Sequence, residues 1–118
     1  MQWKPSWKRQ SDMEYAKTLQ SLGLCAKARK LISGTPMICD ALKAGKPQIY
    51  LILAASDNSE NTAKRLSDRC AYYSARLVTP GFDGDELAKA LGKQSRVAAV
   101  AVTDESLCRL VENTLKTN

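Results

Sequence analysis

The sequence predicts an α/β fold, a three-layer α/β/α sandwich built on one sheet, and three observations carry that prediction. Short apolar runs alternate with amphipathic helical stretches along the chain. Ser11-Asp12-Met13-Glu14, Asp57-Asn58-Ser59-Glu60 and Asp83-Gly84-Asp85-Glu86 have capping-box spacing, in which an oxygen side chain and a carboxylate three residues later satisfy orphan amides at a helix start. Ile49-Tyr50-Leu51-Ile52-Leu53-Ala54-Ala55 is an unbroken apolar run, as expected of a central strand covered on both faces.

In chain order, residues 1–12 carry charge, Pro5 and no apolar period, so they are expected to form a flexible basic tail, with a single domain over 13–118. The first helix is expected to start at Ser11, with Tyr15, Leu19, Leu22 and Ala26 at helical spacing. A short strand around Leu31 and Ile32 leads to a helix that Thr35 caps and Pro36 enters, ending at Gly45. Met37, Ile38, Ala41 and Leu42 are its expected buried stripe. After the central strand, the helix opened by Asp57 buries Ala63, Leu66, Cys70 and Tyr73. A short strand over 76–79, a turn at Pro80-Gly81, a helix begun by Asp83, a strand over 97–102 and a helix from Asp104 complete the chain.

Composition excludes several function classes. The 118 residues suit one domain able to bury a core without metal or disulfide support. With no histidine, imidazole general bases, Ser-His and Cys-His pairs and His-ligated metal sites are absent. Cys25, Cys39, Cys70 and Cys108 lack C-x-x-C spacing and lie in apolar or helical stretches, so reduced thiols and a cytoplasmic setting are expected. No stretch has the length of a membrane span or the look of a secretory signal.

The net charge of +6 suits a polyanionic partner. It is concentrated early: residues 1–30 hold seven basic and two acidic residues, the remainder 11 basic and 10 acidic. Trp3 and Trp7 lie among Lys4, Lys8 and Arg9, a pattern open to base stacking, to membrane-surface contact or to plain disorder. Met13 stands near the domain's beginning and is an alternative start of the chain.

Four phrases point to a family: Lys30-Leu31-Ile32-Ser33-Gly34-Thr35, Ala55-Ser56-Asp57, Leu91-Gly92-Lys93 and Val100-Ala101-Val102-Thr103-Asp104. Over about residues 13–112 the chain resembles the ribosomal protein L7Ae/L30e superfamily. Leu22-Gly23-Leu24, Ala28-Arg29-Lys30, Ser56-Asp57-Asn58-Ser59-Glu60-Asn61-Thr62 and Gly92-Lys93 look like its small bacterial YlxQ-type branch. The resemblance implies a mixed four-stranded sheet, and one end of it gripping kink-turn RNA in the translation machinery. It maps that surface onto Ser33, Gly34, Thr35, Pro36 and Met37, onto the loop with Asp57, and onto Lys93 to Val97.

Elementary chemistry accommodates this mapping. A helix start at Thr35 presents amides and a positive dipole end to phosphate, and Gly34 admits a close backbone. Arg29, Lys30, Lys93 and Arg96 carry charge for phosphates, and Val97 offers apolar support to a splayed base. One departure stands out, because kink-turn binders follow the glycine with x-Asn-Glu and then a lysine, where this chain has Pro36, Met37 and Asp40. Proline has no amide donor, methionine is at most a weak acceptor for guanine, and aspartate repels phosphate.

Blander readings account for other features. Asp57 and Asp83 are explained as caps rather than catalytic carboxylates. Arg65 and Arg69, one turn apart, are read as a solvated helix face outside the site. The expectation is a non-enzymatic RNA-binding protein without cofactor or metal. The alternative is a protein-interaction module of the same fold that has lost kink-turn recognition and binds a protein partner.

Overall fold

The computed structural model describes residues 6–116. Helices α1 (Ser6–Lys27), α2 (Thr35–Ala44), α3 (Glu60–Tyr72), α4 (Gly84–Leu91) and α5 (Glu105–Lys116) surround strands β1 (Leu31–Ser33), β2 (Leu51–Ala54), β3 (Leu77–Val78) and β4 (Ala99–Val102). The four strands form one mixed sheet in the order β1-β4-β2-β3. β4 is antiparallel to both β1 and β2, and β3 runs parallel to β2.

Side chains in β2 and β4 alternate between two cores, as the two-residue period of a strand requires. Leu51, Leu53, Val100 and Val102 face α1, α4 and α5, packing with Leu22, Phe82, Leu87 and Val111. Ile52, Ala54, Ala99 and Ala101 face α2 and α3, meeting Ile38, Leu66 and Cys70. Both strands are buried at every position, so the apolar runs report a sheet covered on both sides. Three of the four β2 and β4 residues facing α2 and α3 are alanines, whose small side chains suit a thin layer.

Helix ends follow local chemistry. At α4 the Asp83 carboxylate accepts from the Glu86 amide at 2.8 Å while Glu86 accepts from the Asp83 amide at 3.0 Å, the expected reciprocal box. Asp104 accepts from the Leu107 amide at 2.9 Å and starts α5. At the end of α1, the Lys30 amide donates to Cys25 and the Arg29 amide to Ala26, with Arg29 left-handed at φ 60°, a Schellman arrangement.

Several boundaries differ from expectation. α1 begins at Ser6, so Ser11 to Glu14 lie inside the helix and do not cap it. Lys8, Arg9 and Gln10 are good helix formers with no glycine or proline between Ser6 and Met13, and the helix propagates through them. Residues 6–12 of the expected tail are therefore helical, and residues 1–5, with Trp3, lie outside the described residues. The N-cap of α2 is Gly34, not Thr35, and among the described residues no side-chain hydrogen bond caps that helix. Ser59 rather than Asp57 caps α3, accepting from the Thr62 amide at 3.2 Å. Met37 is 60% exposed and Ala63 is exposed, so neither belongs to its expected buried stripe. No helix among the described residues is long and apolar enough to cross a membrane.

Candidate functional site

The C-terminal ends of β1 and β2 and the N-terminal end of β4 meet at one edge of the molecule. The Gly34 and Ala55 amides donate to the carbonyls of Ala99 and Ala98, each at 2.9 Å. This register gathers the β1–α2 turn and the 93–98 loop around an open cleft of about 810 Å³, with α3 as its further wall. Ser33, Gly34, Thr35 and Pro36 line one side, Lys93, Arg96 and Val97 another, and Asn61, Thr62 and Arg65 of α3 the third.

Electrostatics distinguish this cleft. Among the described residues three cationic side chains line it and no carboxylate does. α2 begins there uncapped, leaving the Thr35 and Met37 amides without helical acceptors, and Pro36 between them has no amide to offer. Gly34 holds φ 97°, a conformation that an L side chain would strain. Among the described residues the buried Thr35 hydroxyl has no hydrogen-bond partner, a state that costs about 1–3 kcal/mol. Val97 is buried, and its amide donates to Gly84 at 3.0 Å.

Arg96 has a different environment from its neighbours. Its guanidinium donates to Asp57 Oδ1 at 2.6 Å and to Asn58 Oδ1 at 3.2 Å. The same Asp57 oxygen accepts from the Gly84 amide at 3.0 Å, and Asn58 donates to the Ala98 carbonyl at 2.9 Å. The Gly84 amide and then Arg96 hold the Asp57 carboxyl below its ordinary value. Asp57 is therefore the junction of three loops, which is why it is not free to cap α3.

Of the residues marked out in the sequence, the fold brings Ser33, Gly34, Thr35, Pro36, Lys93, Arg96 and Val97 together. Asp57 stands behind Arg96. Met37 is exposed on the same first turn as Pro36 but does not line the cleft, and Asp40 is exposed one turn further along. Arg29 and Lys30 are not brought to the cleft. They precede β1, whose three residues place them about 10 Å along the strand from Ser33, at the opposite end of the sheet. There the Lys30 carbonyl accepts from Thr103.

Sequence reasoning missed the wall from α3, leaving out Arg65 as a solvated residue. The one available signal was the phrase from Ser56 to Thr62, whose last two residues line the cleft. A second opening, between α1 and α4, is lined by Leu19, Leu24, Ala90 and Leu91, and its cations Lys27 and Lys89 share the lining with the Glu86 carboxylate.

An α/β/α sandwich with a mixed four-stranded sheet and a cation-lined cleft at one sheet end defines the class of protein. Its family is now clear: the chain belongs to the Ribosomal protein L7Ae/L30e/S12e/Gadd45 family, matched over residues 16–111, and to the YlxQ-type branch within it. It is 35% identical over 91 residues to the RNA-binding protein YlxQ of Bacillus subtilis (strain 168), covering 71% of this chain and 80% of that protein. The RNA-binding protein YlxQ of Enterococcus faecium is 30% identical over 84 residues, covering 71% and 79%.

Solved structures agree on the fold. A protein with unknown function from Bacillus halodurans C superposes with a TM-score of 0.74 at 33% identity, covering 85% of this chain and 97% of that one. The Giardia lamblia 15.5kD RNA binding protein superposes with a TM-score of 0.71, covering 87% and 85%; at 14% identity the likeness speaks to the fold alone.

Proposed function

We propose that this chain is a non-enzymatic RNA-binding protein that receives structured, kink-turn-like RNA at the α2 end of its sheet, in the cytoplasmic translation machinery. The observation that carries the reading is the cleft itself, lined by Arg65, Lys93 and Arg96 with no carboxylate among the described residues, in a chain whose curated relatives are named RNA-binding proteins. The uncapped amides of α2 suit a phosphate, Gly34 leaves room for a backbone, and Val97 and Pro36 offer apolar support to a base that leaves the stack. No cofactor takes part.

The test is a titration against three RNAs: a kink-turn, the same RNA with its G·A pairs replaced, and a plain duplex, each at several salt concentrations. Binding in order of kink-turn content, weakening steeply with salt, is the expected outcome. Equal binding to all three would reduce the interaction to shape-blind charge attraction, and no binding at low salt would end the RNA reading.

A second reading has its own support in Pro36, Met37 and Asp40. An exposed methionine and an exposed aspartate on the first turns of α2 suit a protein surface better than guanine edges. Replacing them together by Asn, Glu and Lys separates the readings. Stronger kink-turn binding would support the second reading, that recognition was lost at the start of α2, and unchanged binding would mean that the altered helix start is not what limits recognition.

A further inference from the structure

We propose that Arg65 of α3 is the guanidinium that takes an RNA phosphate in the cleft, and that Arg96, which the family pattern put forward for that task, is a positioning residue. The inference rests on the RNA-binding reading above and assigns roles within the same site. Both arginines line the cleft, so lining alone does not distinguish them. Their partners do.

Arg96 is committed within the protein. Asp57 at 2.6 Å neutralises it, Asn58 accepts a second bond, and its guanidinium lies where a side chain on Gly84 would stand, 2.7–2.8 Å from Nη2, Cζ and Nε. It thereby ties the loop after β2 to the start of α4 and to the 93–98 loop. A phosphate reaching for it would compete with a carboxylate already in place, and would add the repulsion of that carboxylate.

Arg65 has no such commitment. It is exposed, and among the described residues it makes no ion pair and no side-chain hydrogen bond. Of its neighbours one turn away on α3, Asn61 and Thr62 line the cleft and Arg69 is itself cationic, while Asp68, three residues on, forms no ion pair with it within 4.0 Å. Together with Lys93 on the facing loop, it gives the cleft two uncompensated cations on opposite walls, an arrangement that brackets one backbone strand.

The roles are separated by the salt dependence of binding, which grows with the number of phosphates the protein neutralises. With a kink-turn RNA and the full chain, Arg65→Ala is expected to lower the slope of log K against log salt by about 0.7–0.9. Its defect then shrinks about threefold between 50 and 200 mM salt. Arg65→Lys should retain the slope, and Arg69→Ala should leave it unchanged.

For Arg96 the pair is removed as a unit, Arg96→Gln with Asp57→Asn, so that no bare carboxylate is left beside the RNA. Affinity is expected to fall with the slope unchanged, because a loop has been loosened while the phosphates stay neutralised by the same cations. A slope that drops for the Arg96 pair and not for Arg65→Ala overturns the assignment. So does wild-type binding that Arg65→Ala leaves intact, which would spare the RNA reading, whereas a wild-type chain that binds no RNA overturns both.

Discussion

Replacing Gly81 by alanine tests how the cleft end is fastened to α1. Gly81 follows Pro80 with φ 129°, where a non-glycine residue is strained by about 1–3 kcal/mol. Its carbonyl accepts from the Ser56 hydroxyl at 3.0 Å. An added Cβ would also strike the Tyr15 ring, with Tyr15 Cζ only 2.8 Å away, while that ring packs edge-on against Phe82 at 6.2 Å and 86°. Such aromatic pairs contribute about 0.5–1.5 kcal/mol beyond area burial, so the combined cost is about 2–4 kcal/mol. Urea denaturation measures it, with Gly92→Ala as reference, because Gly92 is left-handed at φ 71° but has nothing within 4 Å of its added Cβ. A double-mutant cycle with Tyr15→Ala should recover only the clash, leaving the backbone strain. If Gly81→Ala costs no more than Gly92→Ala, the contact between the Pro80-Gly81 turn and α1 is not what holds this corner.

Three further outcomes are expected. Asp57 has its folded pKa held below the ordinary value, so its contribution to stability is present above that value and is lost as pH falls through it. The difference in Tm between wild type and Asp57→Asn should therefore narrow on acidification below about pH 4. Burial, and then Asp104, push the Cys25 thiol up to about 11, so the unfolded chain ionises first and stability should fall as pH rises beyond about 9; Cys25→Ala should show a smaller alkaline loss of Tm. Arg29→Gly should raise stability by about 0.5–1 kcal/mol in urea titration, since Arg29 occupies the left-handed Schellman position.

What could be read directly in the amino acids was whatever depends on neighbours along the chain. The apolar runs around Leu51–Ala54 and Ala99–Val102 imply strands buried on both faces, and Asp83 with Glu86 implies a helix start, because each rests on residues within a few positions. Contacts across long separations were hidden. Asp57 and Ser59 were both acceptable caps for α3, and the choice fell to Ser59 because Gly84, 27 positions on, and Arg96, 39 positions on, engage Asp57. Arg65 resembled any solvated helical arginine until the 93–98 loop folded opposite it. Arg29 and Lys30 illustrate the converse, because a count of charge says nothing about which end of β1 carries it.

The location of charge bears on how this site would recognise RNA. Contacts to phosphate position a protein, and contacts to base edges specify sequence. On α2 the residues available for base edges are Pro36 and Met37, which offer one backbone amide and no strong side-chain donor or acceptor. Arg65 and Lys93 lie on α3 and the loop before β4, so on the proposed reading they would meet the backbone of a strand in the cleft rather than its bases. A site built this way derives its affinity from the path of the backbone. Discrimination between a kink-turn and its G·A-replaced counterpart should then come from how well each RNA's bend fits between Arg65 and Lys93. It should persist in Met37→Ala and diminish when Arg65 and Lys93 are both replaced by alanine.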